Sequence, residues 1–293
     1  MKWQDFGRSD NVEDRRGQMG GMAGKGGLGI GTVVVLGLLG WALGIDPRLL
    51  IGGAEMVNKM RQGGQTSVTQ PGQIGTPSDD MGQFVAAVLA ANETVWAEVL
   101  PREKGIAYVK PKLVLYSGRT ASGCGGAQSA MGPFYCPLDQ KVYLDTAFFG
   151  DMKRRLGGGG DFAYTYVIAH EIGHHVQNLL GILPKIQAAQ QAAASKGEAS
   201  TANNLSVRAE LMADCLAGVW AANAERKYQF LESGDLETAV ATAQAIGDDR
   251  LQQASKGYAV PDSFTHGTAA QRVQWLNAGL KSGEVDSCNT FAR

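Results

Sequence analysis

Histidine is scarce in this chain of 293 residues: there are four, and three of them fall between Tyr166 and His175. Cysteine is equally sparse at four, and no C-x-x-C pair occurs, which removes the usual signature of a cysteine-bound zinc. Neither sign of charge predominates. With 27 Lys and Arg against 28 Asp and Glu the formal charge is −1, so nothing points to nucleic acid or to a strongly charged partner. The glycine run at 157–160 is not followed by Lys-Ser or Lys-Thr, which excludes a phosphate loop and leaves a flexible connection. What is plentiful is glycine itself. Of 40 glycines, 18 precede Pro77, and composition divides the chain there.

Residues 1–25 are polar, glycine-rich and mixed in charge without periodicity, the pattern of a disordered segment. Residues 26–45, GGLGIGTVVVLGLLGWALGI, run twenty positions without a charge, the length needed to cross a bilayer core as one helix. Trp41 stands near one end, where an interfacial anchor is expected. A cleaved signal peptide fits less well, because the leader is long and the apolar run exceeds an ordinary h-region. Lys2, Arg8, Arg15, Arg16 and Lys25 precede the run, while Arg48, Lys59 and Arg61 follow it. That bias favours a cytoplasmic N-terminus and an exported body, the layout of a single-pass inner-membrane protein. Residues 46–77 read as a flexible linker. Residues 78–293 remain as one domain, long enough to bury a sizeable core.

Within that domain, helical spacing of apolar residues begins after Ser78, a plausible cap, and stops at Pro101. Strands are expected between 106 and 116, near 133–136 and near 141–145, with 137–140 turning between the last two. One of these is either a plain hairpin partner or an edge strand offering its backbone to an extended peptide. Helices follow at 161–180, up to about 195, around 207–220, at 235–253 and at 268–281. The expected fold is α+β, a small sheet packed beside a helical bundle.

The chemistry concentrates at His170-Glu171-Ile172-Gly173-His174. Residues four apart on a helix lie about 40° from one another around the axis, so both imidazoles can meet one metal ion. Zinc suits two neutral imidazoles and one carboxylate with a position left open for water, and Glu171 stands beside that position as the general base. The flanking helix is largely apolar, where two histidines and a glutamate are costly unless paired or metal-bound. His175 lies about 140° around the helix from His170 and cannot share its metal. It reads as a surface histidine or as one supporting the site from behind.

A second buried segment carries Glu210 and Asp214 one turn apart. Glu210 is expected as the third zinc ligand and Asp214 as the hydrogen-bond partner of a ligand histidine, with swapped roles as the alternative. His266 is the one histidine outside the first group, and it precedes a helix. It is a candidate donor to the charge that develops on the substrate oxygen, with Tyr135 and Tyr143 as substitutes. An even cysteine count in an exported domain suggests disulfides: Cys124 and Cys136 flank one loop, which leaves Cys215 for Cys288.

With Trp3-Gln4-Asp5, Gly132-Pro133-Phe134-Tyr135-Cys136-Pro137, His170 to His175, Glu210 to Cys215 and Thr265-His266-Gly267-Thr268 in view, the chain resembles the bacterial neutral zinc metallopeptidase family over nearly its whole length. More broadly, H-E-x-x-H followed by E-x-x-x-D resembles the gluzincin peptidases. The likeness implies a zincin-like fold, one Zn2+ per chain, Glu210 as third ligand and an edge strand above the zinc helix. The metzincin pattern is absent, since no third histidine follows His174 at the required spacing. The activity implied is hydrolysis of peptide bonds in a peptide or protein substrate, close to a membrane. Two alternatives remain: a zinc amidase acting on cell-wall peptide, and a catalytically silent zincin-like binding module. Neither cleavage preference nor oligomeric state follows from the residues.

Overall fold

The computed structural model describes residues 1–17, 72–155 and 159–292. The proposed membrane run at 26–45 and most of the linker lie outside them. One described helix, Asp80–Lys104, is long and apolar enough to cross a membrane, but it is mostly buried in the body and serves as a core helix.

The architecture is mixed α and β. Strands β1 (Val12–Asp14), β2 (Gln73–Ile74), β3 (Lys112–Tyr116), β6 (Phe134–Cys136) and β7 (Lys141–Asp145) form a sheet in the order β2-β1-β3-β7-β6. β1 runs parallel to β3 and β3 to β7, whereas β2 and β6 pair antiparallel at the two ends. Strands β4 (Arg119–Ser122) and β5 (Gly125–Gln128) make a separate hairpin. The inner strand β3 reads KLVLY because both its faces are covered. Leu113 and Leu115 join the helical core on one side, while Val114 and Tyr116 pack with Ala127 of the hairpin, Phe134 and Tyr143 on the other. Burying each such side chain contributes about 1.5–3 kcal/mol.

Residues 1–17 are ordered, which corrects the expectation of disorder across 1–25. Phe6 and Val12 are buried among the core side chains, and β1 sits inside the sheet. Its charged residues are paired, not solvated. Glu13 takes Arg15 and Lys141, and Arg16 bridges Asp14 and Asp79. A three-residue strand offers no period to read, so its pattern passes for a polar leader. Residues 72–77, assigned to the linker, are likewise pinned: Gly72 N–H donates to Glu13 and the Thr76 hydroxyl to the Ser9 carbonyl.

Eight helices lie among the described residues: α1 (Asp80–Lys104), α2 (Ala147–Arg155), α3 (Asp161–Leu179), α4 (Ile182–Ser195), α5 (Ala199–Tyr228), α6 (Asp235–Ala245), α7 (Asp248–Lys256) and α8 (Ala269–Ser282). Asp79, rather than Ser78, caps α1 by accepting from Gly82 N–H. Pro101 does not end α1: the helix runs one more turn to left-handed Gly105, whose N–H donates to the Pro101 carbonyl and closes it. The stretch expected as one helix over 235–253 is two. Gly247 separates α6 from α7, and a Cβ there would stand 2.4 Å from the Ala269 nitrogen. Close approach also fixes the helix layers. A Cβ on Gly279 of α8 would lie 1.9 Å from the Cys215 carbonyl oxygen, and one on Gly173 of α3 would lie 3.0 Å from that of Ala213. Small residues thus let both α3 and α8 rest against the backbone of α5. Both expected cystine pairs are formed, Cys124–Cys136 and Cys215–Cys288.

Candidate metal centre

Contact of α3 with α5 brings the two sequence motifs together. His170 and His174 leave α3 one turn apart with their rings 4.9 Å from centre to centre, edge to face. Glu210 on α5 faces both: its Oε2 lies 3.1 Å from His170 Nε2 and its Oε1 3.6 Å from His174 Nε2. One ligand atom from each of these three residues lies within 4.8 Å of the other two. Burial alone would raise the Glu210 pKa, but the positive potential of His174, His266 and His170 holds it well below the ordinary carboxylate value.

The remaining ring nitrogens decide whether a metal fits. His170 Nδ1 donates to Asp214 Oδ1 at 2.9 Å. His174 Nδ1 donates to Gln177 Oε1 at 3.0 Å, and the Gln177 amide nitrogen donates in turn to the Ala209 carbonyl, fixing its orientation. Each histidine therefore keeps a proton on Nδ1 and leaves Nε2, the nitrogen that faces Glu210, as the atom that can give up its proton to a metal. Two imidazole nitrogens and one carboxylate in this disposition form a donor set suited to zinc.

Asp214 is fully buried and meets His170 at the ring nitrogen opposite the one that faces Glu210. Besides His170 it accepts from the Tyr166 hydroxyl at 2.6 Å and from two nitrogens of Arg272 on α8, each at 2.9 Å. These donors occupy both oxygens, and Arg272 with His170 holds the carboxyl at about 2 against the upward push of burial. The same neighbourhood acts on His170. Desolvation would lower its pKa, yet Asp214 and Glu210 raise it to about 10, so without a cation the pocket draws a proton there. Glu171 is 7% exposed, and no described residue donates a hydrogen bond to its carboxylate.

His266 lies in the turn before α8, at the edge of this centre and near enough for its charge to act on Glu210. Asp248, the first residue of α7, organises it. One Asp248 oxygen accepts the backbone N–H groups of Thr265, His266 and Gly267 at 2.7, 2.6 and 3.0 Å, while the other lies 3.3 Å from His266 Nδ1. The ring stays about one-third exposed.

His175 is not at the surface, nor does it support the ligands. It is wholly buried, with Nε2 donating to the Val109 carbonyl at 2.6 Å and Nδ1 accepting from the Tyr135 hydroxyl at 3.0 Å. Asn178 also donates to that hydroxyl. The triad fastens edge strand β6 to α3 and leaves Tyr135 with no spare donor. Tyr143 is likewise committed, donating to Asp139 at 2.6 Å. Neither tyrosine serves as a substitute for His266.

The sequence reading passed over Tyr166, Gln177, Asp248 and Arg272. Tyr166 precedes His170 by one turn and Gln177 follows His174 by nearly one, so helical spacing alone marks them. Arg272 carries a subtler signal: it shares the buried face of α8 with Ala269 and Leu276. Asp248 carries none, because its place depends on the break at Gly247. An open groove of about 640 Å³ between α1, α5 and the C-terminal segment, lined by Glu98, Arg102, Arg226 and Lys227, contains none of the centre's residues.

Comparison with known proteins agrees with the donor set. A family described as "Putative neutral zinc metallopeptidase" matches residues 1–291. The chain belongs to that family. It is 46% identical over 303 aligned positions to "Uncharacterized protein YpfJ" of Escherichia coli (strain K12), covering 100% of this chain and 99% of the relative. "Uncharacterized protein Rv2575" of Mycobacterium tuberculosis (strain ATCC 25618 / H37Rv) is 43% identical over 227 positions, 73% of each chain. No solved structure shows significant similarity to it.

Proposed function

We propose that this protein is a zinc-dependent peptidase that hydrolyses peptide bonds outside the cytoplasm, with one zinc per chain held by His170, His174 and Glu210. The observation that carries the reading is the tautomer lock. Two Nδ1 donors tied to Asp214 and Gln177 leave both Nε2 atoms, facing one carboxylate, as the ones a metal can take. A bound zinc would supply acidity to a water molecule and polarise the substrate carbonyl.

The chain's own residues do the rest. Glu171, one residue beyond a proposed ligand and with no hydrogen-bond donor among the described residues, takes the proton of the attacking water and delivers it to the leaving amine. His266, aimed by Asp248, donates to the oxygen on which charge develops. β6, at the end of the sheet and tied to α3 through Tyr135 and His175, offers its free edge to an extended substrate. Two disulfides in a chain with four cysteines support an oxidising compartment.

The test combines metal analysis with digestion of a protein-derived peptide library by the full chain and by Glu171→Gln. One zinc in each protein with cleavage by the parent alone is the expected result. Full activity in Glu171→Gln would overturn the mechanism. Cleavage confined to cell-wall peptide would change the substrate class. Zinc binding without hydrolysis of either would leave a binding module.

A further inference from the structure

Residues 1–17 are part of the folded body, and their position constrains how the chain can meet a membrane. β1 is an inner strand, paired with β2 on one side and β3 on the other. Around it the segment is tied to separate parts of the body. Lys2 N–H donates to the Phe230 carbonyl, Ser9 N–H to that of Ala86, and Arg15 N–H to that of Leu115. Ser9 and Asn11 side chains donate to Glu93, which is buried. Arg15, also buried, reaches Thr120 and the Ala121 carbonyl on β4. Trp3 Nε1 donates to Asp161, the first residue of the zinc helix. Withdrawal of this segment would leave β3 as a bare edge and strand several buried charges.

The exit and re-entry points coincide. Asp14 is paired with Gln73 and Glu13 with Ile74, so the two described segments that end at Gly17 and begin at Gly72 lie side by side. Adjacent strands stand about 5 Å apart. A single helical crossing displaces the chain by about 30 Å and puts its flanks on opposite faces of a bilayer. Both cannot hold at once. We infer that residues 1–17 and the body from Gly72 onward lie on the same side of any membrane the chain touches. The inference stands on strand pairing and is independent of the proposed chemistry.

Sidedness is measured on the full chain in spheroplasts of a bacterial host. All four native cysteines are in disulfides, so one added cysteine is the sole free thiol. Gln4→Cys and Ala254→Cys, both at exposed positions, are treated separately with a membrane-impermeant maleimide before and after detergent. Asp10→Cys replaces the first should it not accumulate. Equal behaviour at both positions is expected, whether both label at once or both need detergent. Labelling of one with protection of the other would overturn the inference. In a separate protein, Asp14→Cys with Gln73→Cys should yield a 14–73 disulfide by mass mapping after mild oxidation. Failure of that link to form would overturn it as well, since the pairing would then not exist in the cell-derived protein.

Discussion

Asp214 carries a negative charge with no exposed surface, and the Arg272 fork is what makes this tolerable. Removing one partner of a buried ion pair leaves the other uncompensated, typically at about 3–5 kcal/mol. Arg272→Met should therefore lower thermal stability by that amount even in metal-free protein, as read from the melting temperature. Asp214→Asn keeps the shape but loses the charge, and zinc affinity in a competition assay should fall by roughly 10- to 100-fold. The role proposed for His266 is at a different level, through substrate. His266→Ala should lower kcat by about 10²- to 10³-fold with zinc content unchanged. Asp248→Asn should give part of that loss, because one of its oxygens also holds the loop through three backbone N–H groups. Unchanged kcat in His266→Ala would remove the residue from the mechanism.

At the scale of elements, α3 and the centre of α5 are legible because each is a long apolar helix whose polar residues sit at helical spacing. The candidate ligand pair, the candidate base and the E-x-x-x-D acids are marked by that spacing alone. β1 is not legible, for a definite reason. Its stability comes from partners 60 to 130 residues away, and Glu13 makes the point. Burial by itself would raise the Glu13 pKa, but Lys141, Arg15 and the Gly72 N–H bring it from 4.5 to about 2. The folded value lies below the unfolded one, so the stabilisation is complete above about pH 4.5 and is lost as pH falls toward 2. By linkage this amounts to about 3 kcal/mol at neutral pH. Hydrogen exchange at Glu13 to Arg15 should accelerate across that interval. In Glu13→Gln the acceleration should be absent and the segment less protected at neutral pH.

For the molecule as a whole, the two disulfides differ in what they close, and this sets an order of stability. Cys124–Cys136 spans 12 residues and ties the hairpin loop to β6, whereas Cys215–Cys288 spans 73 and ties α5 to the C-terminal turn. In the chain-entropy account these closures stabilise by about 3 and about 4.5 kcal/mol respectively. Cys215 also follows Asp214 directly, on the helix that carries Glu210, and lies where Gly279 lets α8 touch α5. Loss of that bridge loosens the contact through which Arg272 reaches Asp214. Cys215→Ala with Cys288→Ala should thus lower both the melting temperature and zinc retention. Cys124→Ala with Cys136→Ala should lower the melting temperature less and leave zinc retention intact, because no ligand lies on the elements it joins. Equal zinc loss in the two proteins, measured by dialysis against a chelator, would show that the metal centre depends on global stability and not on the α5–α8 contact.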